Sequence, residues 1–161
     1  MVYFHNRFYM IVFRVGRTKY ANDLTGEGAR LFGGRWNHKL ISCIYTSESR
    51  SLAILEYTVN VNVDDIPRAM SMATIEIPEN NILQLTVAEL PGNWRDAPAP
   101  AETKNLVSRL LTENNFLAIK IPSAVIPEEF NYVLNPAHAG SAGFKIIKLK
   151  DFVYDIRIKY T

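Results

Sequence analysis

One cysteine, Cys43, stands in 161 residues. A single thiol forbids an intramolecular disulfide and a multi-cysteine zinc site, so a reducing cytoplasm is the default compartment. An excess of one charge is also missing: eighteen Lys and Arg meet sixteen Asp and Glu, leaving +2. That balance points to no polyanion, and no direct nucleic-acid partner is expected. Long apolar runs are absent as well. Nothing approaches the roughly 18 consecutive apolar residues of a membrane span, so no membrane partner is expected. Residues 1–15, interrupted by His5, Asn6, Arg7 and Arg14, do not read as a signal peptide. The three histidines, His5, His38 and His138, have neither an HExxH nor a paired spacing, so no metal is expected.

What is present is enough for one domain spanning residues 1–161. The hydrophobic fraction is 48%, and a chain of this length buries roughly 68–70% of its unfolded surface, which makes a core without staples. The one proline-rich stretch, residues 90–100, is short enough for an internal loop between two halves. β-Branched and aromatic residues predict strands at 10–15, 42–46, 72–77, 82–85, 117–121, 144–149 and 152–158. Leu52, Ala53, Leu55, Tyr57 and Val59 predict a helix over 49–60, capped by Ser47 or Ser49. Leu106, Val107, Leu110 and Leu111 predict a second helix, stopped by Asn114 and Asn115. Between them these patterns describe an α+β domain, a mixed and mostly antiparallel sheet with a few helices.

Residues 21–39 hold four glycines, at 26, 28, 33 and 34, without sustained periodicity, which predicts a loop of special backbone geometry. It is neither a Walker A loop nor a dinucleotide fingerprint, because Arg35, Trp36 and Asn37 follow the paired glycines. Glycines that admit a ligand, a guanidinium that grips phosphate and an indole that stacks are one reading; a tight turn with a surface Arg and a core Trp is the other. Glu56 sits among apolar helix residues, where a carboxylate either finds a partner or lies at the wet boundary. Ser123, after Pro122 at a strand end, is a ligand contact or a turn serine. No histidine is spaced to serve it as a base, so a hydrolytic triad is weakly supported.

Taken in order, Phe13-Arg14-Val15, Gly28-Ala29-Arg30, Gly33-Gly34-Arg35-Trp36-Asn37, Ile44-Tyr45-Thr46-Ser47 and Ser51 to Glu56 form a series that resembles the RES domain. Leu90 to Trp94, Ile121-Pro122-Ser123-Ala124-Val125, Asn131 to His138 and Tyr154 to Arg157 extend the resemblance over nearly the whole chain. It implies a fold similar to ADP-ribosyltransferase toxins, the toxin role in a bacterial toxin–antitoxin pair and an Xre-type helix-turn-helix antitoxin as partner. It also allows a homodimer within that complex. The implied activity is degradation of NAD⁺ at the nicotinamide–ribose bond by hydrolysis or phosphorolysis, with NAD⁺ as substrate and no cofactor. The rival activity is ADP-ribosylation of a protein. Carried onto matching positions, Arg35, Glu56 and Ser123 become the catalytic set, and Arg14, Tyr45 and Asn131 line the NAD⁺ site.

Such a reaction needs positioning and charge stabilisation more than a strong nucleophile. Arg14 and Arg35 suit the pyrophosphate, Tyr45 a ring, and Glu56 the cationic ribose or the attacking group. Ser123 is then expected to bond the substrate. A different class, a non-catalytic nucleic-acid module using Arg14, Arg30 and Arg35, is disfavoured by the near-neutral charge.

Overall fold

A computed structural model describes residues 8–159; His5 and the start of the N-terminal stretch lie outside them. Seven strands form one sheet in the order β4-β5-β6-β2-β1-β3-β7. β1 (Tyr9–Arg17) pairs antiparallel with β3 (Met70–Pro78) along its whole length, and β3 pairs with the edge strand β7 (Lys145–Phe152). On the other side β2 (Ile44–Ser47) pairs with β6 (Phe130–Leu134), and β6 with β5 (Ala118–Pro122). Only β4 (Ile82–Gln84) runs parallel to its neighbour, β5. The sheet is therefore mixed and mostly antiparallel, and the fold is α+β.

The two blocks of the sheet are joined weakly. β1 and β2 share a single register pair, Phe13 with Ser47, while each is fully paired to its other neighbour. Past that pair the strands part, leaving Val15 and Tyr45 to face a gap instead of a ladder.

Alternation buries the centre of the sheet on both faces. Ala118 and Leu134 enter one apolar cluster with Val12, Ile75 and Ile77, whereas Ile119 and Val133 enter another with Trp36, Trp94 and Val107. Two helices lie over this framework. In α2 (Arg50–Asn60) the Ser49 hydroxyl accepts the Leu52 amide at 3.1 Å, so Ser49 is the cap and Ser47 is free for other use. α3 (Ala101–Glu113) buries Thr103, Val107, Ser108 and Leu111, and ends at Asn114 in the left-handed region.

Three sequence expectations change. The stretch expected to be loop at 21–39 contains a short helix, α1 (Glu27–Phe32), with Gly26 at φ 75° before it and Gly33 at φ 68° after it. Six residues are too few for a hydrophobic period to show. The strand expected at 152–158 is not one: β7 ends at Phe152, and the Asp155 carboxylate accepts the Arg157 amide at 3.1 Å, turning the chain into a single 3-10 turn. The seventh strand is instead β6, which the pattern did not reveal.

Candidate active site

Where β1 and β2 part, a cavity of about 690 Å³ opens, inside the roughly 300–1,000 Å³ of small-molecule sites. α2 turns Ala53, Glu56, Tyr57 and Asn60 toward it, the three- and four-residue spacing of one helix face. Arg14 and Ser47 come from the parting strands, Asn131 from β6, and Gly34 with Arg35 from the segment after α1. Of the six residues singled out in the sequence, Arg14, Arg35, Tyr45, Glu56 and Asn131 line this space.

Ser123 does not. It is 0% exposed; its hydroxyl donates to Glu56 Oε1 at 2.6 Å and accepts the amides of Val125 and Ile126 at 3.0 and 3.1 Å. With its one proton committed and no open face, it has no route to a substrate. The expected substrate contact is thus replaced by a grip on Glu56.

That grip has a second part. Asn131 Nδ2 donates to the same Glu56 Oε1 at 2.6 Å, and its Oδ1 accepts the Ser47 hydroxyl at 2.6 Å. Ser47 and Asn131 are register partners on β2 and β6, so strand pairing presets the amide. Oε1 is fixed by two donors, while Oε2 has no protein partner among the described residues. The carboxylate is therefore aimed with one oxygen left for a ligand. The sequence offers Ser47 as a helix cap and within the Ile44–Ser47 block; nothing local signals this bond, because Asn131 is 84 residues away.

The opposite wall is organised by Arg35. Its Nη1 donates to the carbonyls of Trp94 and Asp96 at 2.9 and 2.8 Å, tying the proline-rich loop to the glycine-rich segment. Trp36 packs on Trp94 with centroids 6.4 Å apart, so the indole is core and not a free stacking platform. Tyr45 donates its hydroxyl to Asn37 Oδ1 at 2.6 Å and accepts the Trp36 amide at 3.0 Å. These two bonds occupy the hydroxyl and leave the ring for a ligand, and burial, which raises the pKa well above the usual phenol value, keeps the hydroxyl protonated. Gly34 is required beneath it, since a Cβ there would lie 2.6 Å from the Tyr45 hydroxyl. Asn37, wholly buried, donates to the carbonyls of Ala29, His38 and Ile41 and so closes the turn. Arg14 donates to the Ala21 carbonyl at 2.8 Å; burial lowers its pKa and the nearby Asp23 opposes that, so it remains a cation.

The alternative phosphate-binding set loses a member: Arg30 is paired with Glu27 at 2.7 Å. Among the described residues no three His, Cys, Asp or Glu side chains cluster as a metal site, and no helix is long and apolar enough to cross a membrane.

The model of the RES domain matches residues 11–155. The chain belongs to the RES domain family. It is 36% identical over 152 residues to a protein named Toxin Res from Yersinia enterocolitica, covering 93% of this chain and 100% of that one. It is also 34% identical over 145 residues to a Prs ADP-ribosylating toxin from a Sphingobium species, covering 88% and 90% of the two chains. Among solved structures, a chain of the M. tuberculosis MbcT–MbcA toxin–antitoxin complex superposes with a TM-score of 0.72 at 18% identity, over 91% of this chain and 86% of that one. In this member of the family the fold places a gripped carboxylate and two guanidinium groups around one cavity at a split in the sheet.

Proposed function

We propose that this RES-domain toxin consumes NAD⁺ by breaking the nicotinamide–ribose bond. The observation that carries the reading is Glu56, held through Oε1 by Ser123 and Asn131 with Oε2 open to a cavity that two arginines also line. The C1″–N bond breaks with its electron pair going to nicotinamide, which leaves neutral. The ribose becomes oxocarbenium-like, and the fixed carboxylate stabilises that charge without reorganising. Water or phosphate then attacks C1″, giving ADP-ribose or its 1″-phosphate; Glu56 Oε2 orients the attacking group and accepts the proton that water releases. Arg14 and Arg35 hold the pyrophosphate, Tyr45 offers its ring to a base, and Ser123 is a positioning residue. The scheme uses side chains of this chain alone, and turnover in EDTA is its expected behaviour.

A second reading, transfer of ADP-ribose to a protein, is favoured by the Sphingobium relative, which is named for that activity. The same carboxylate serves both, because the two differ only in what attacks C1″. One incubation separates them. With adenylate-labelled NAD⁺ and cell extract, free nicotinamide with soluble ADP-ribose or its phosphate supports degradation, and label fixed in a protein band supports transfer. NAD⁺ left intact in both arms removes the proposal. The family resemblance also leads us to propose an Xre-type antitoxin as partner and the cytoplasm as the site of action. Co-purification of the chain with the product of an adjacent helix-turn-helix gene tests the first.

A further inference from the structure

A second cavity, of about 700 Å³, adjoins the first, and apart from the shared wall its lining has no part in the chemistry above. Arg14, Val15 and Tyr45 line both spaces, so the two meet at the split between β1 and β2. Away from this shared wall the character changes. Tyr20 and Phe32, also in its lining, are 57% and 79% exposed. Lys19 Nζ sits 5.4 Å from the Tyr20 ring centroid, covering one face of it, and Phe32 closes α1 beside exposed Leu31. Aromatic rings left in water at a cavity mouth mark a place where a flat, partly apolar group gains by docking.

Polar groups converge on the same space. Arg14 supplies a guanidinium to it, held by the Ala21 carbonyl at 2.8 Å. Of the two carboxylates, Glu27 is neutralised by Arg30, while Asp23 engages the Thr25 amide and hydroxyl through Oδ1 at 2.7 and 2.6 Å. Asp23 Oδ2 has no hydrogen-bond partner among the described residues. Stackable rings, a guanidinium group and a free carboxylate oxygen match, in turn, a purine base, a phosphate and a ribose hydroxyl.

We infer that this second cavity is the subsite for the adenosine half of the dinucleotide, its base against Tyr20 and Phe32 and its ribose toward Asp23. Arg14, at the junction, meets the pyrophosphate. The inference rests on the NAD⁺ reading and deepens it. A substrate made of two nucleosides joined by a pyrophosphate meets a protein with two cavities joined at an arginine. Binding of the non-reacting half fixes the reacting half over Glu56 and distinguishes NAD⁺ from nicotinamide mononucleotide.

AMP, which has no bond to cleave, reads the subsite without turnover. Calorimetric titration of the whole chain should show AMP binding, weakened about tenfold in Phe32→Ala and in Tyr20→Ala, as expected for loss of a base–aromatic stack. Both side chains are exposed, so the melting temperature serves as the control for folding. No binding of AMP, or equal affinity in parent and variants, overturns the inference. In turnover, the preference for NAD⁺ over nicotinamide mononucleotide in kcat/KM should shrink about tenfold in Phe32→Ala, through KM for NAD⁺; an undiminished preference overturns it too. A parent that leaves NAD⁺ intact yet binds AMP through Phe32 would sink the Glu56 chemistry and keep the subsite.

Discussion

The two polar walls of the first cavity are built in opposite senses. On the Glu56 wall, side chains from β2, β6 and the turn after β5 converge to hold one carboxylate, and every bond in the chain Ser47–Asn131–Glu56–Ser123 ends on a group that lines the cavity. On the Arg35 wall the direction reverses, because the guanidinium holds backbone, the carbonyls of Trp94 and Asp96. One wall uses the fold to position a chemical group. The other uses a chemical group to position the fold. Activity and stability should therefore separate on the first wall and fall together at Arg35.

Glu56→Gln tests the first wall most severely. The amide keeps the size and loses the charge, so NAD⁺ consumption should fall by about 10²–10³ while the melting temperature stays near that of the parent. A variant as active as the parent would remove the carboxylate from the chemistry. Arg35→Ala comes next. It loses a pyrophosphate cation and two charged hydrogen bonds to the proline-rich loop, the latter costing about 1–3 kcal/mol after allowance for partial exposure. Turnover should fall about 10- to 100-fold together with a lower urea midpoint. Loss of activity at full stability would show that the loop does not depend on this arginine.

Ser123→Ala is smaller and more informative. The carboxylate keeps Asn131 and loses one donor, which predicts a drop in kcat of about tenfold, the size of one charge-assisted hydrogen bond. KM should hold, since Ser123 is sealed from the cavity. A raised KM with kcat intact would restore the substrate contact that the sequence suggested. Ser123→Thr retains the hydroxyl, and recovery of kcat in it would mark a positioning role.

Much of this was legible in the sequence where the signal is local. A serine cap for α2, narrowed by the structure from Ser47 or Ser49 to Ser49, Pro78 ending β3 and Asn114 stopping α3 follow from turn and cap chemistry, and six of the seven strands show as β-rich runs. β6 did not, because a strand buried on both faces has no apolar–polar alternation and Asn131 interrupts its run; the amide is satisfied only by partners on β2 and α2. The site residues were legible through the ordered motifs, yet their roles were not. Whether Ser123 faces the substrate or Glu56 depends on the turn at Val125 and Ile126 and on α2, 67 residues away. The second cavity was invisible for a related reason: Tyr20, Asp23 and Phe32 form no motif, and the space they line adjoins the first only where β1 and β2 part.

Within the Arg35 wall, Tyr45→Phe isolates the part with no charge. The hydroxyl bridges Asn37 Oδ1 and the Trp36 amide, and both would be left buried and unpaired, a cost of about 1–3 kcal/mol. Since the ring remains, KM for NAD⁺ should move less than twofold or so, while the urea midpoint falls.

The smallest expected effect concerns the lone thiol, which lies under the second cavity. Cys43 lines that space but is 1% exposed, and burial pushes its pKa up to about 12, against a weaker opposing bond from Tyr45. At pH 8 the native thiolate fraction is then about 10⁻⁴, whereas an unfolded cysteine with pKa of about 8.5 is roughly one quarter ionised. Iodoacetamide should therefore leave NAD⁺ consumption untouched over the time in which it labels the urea-unfolded chain. Because folding favours the protonated thiol, raising the pH from 8.5 toward 12 withdraws stability and speeds labelling. Fast labelling at pH 8 that AMP blocks would mean that the second cavity opens to its floor, and that the ligand covering Tyr20 and Phe32 also covers Cys43.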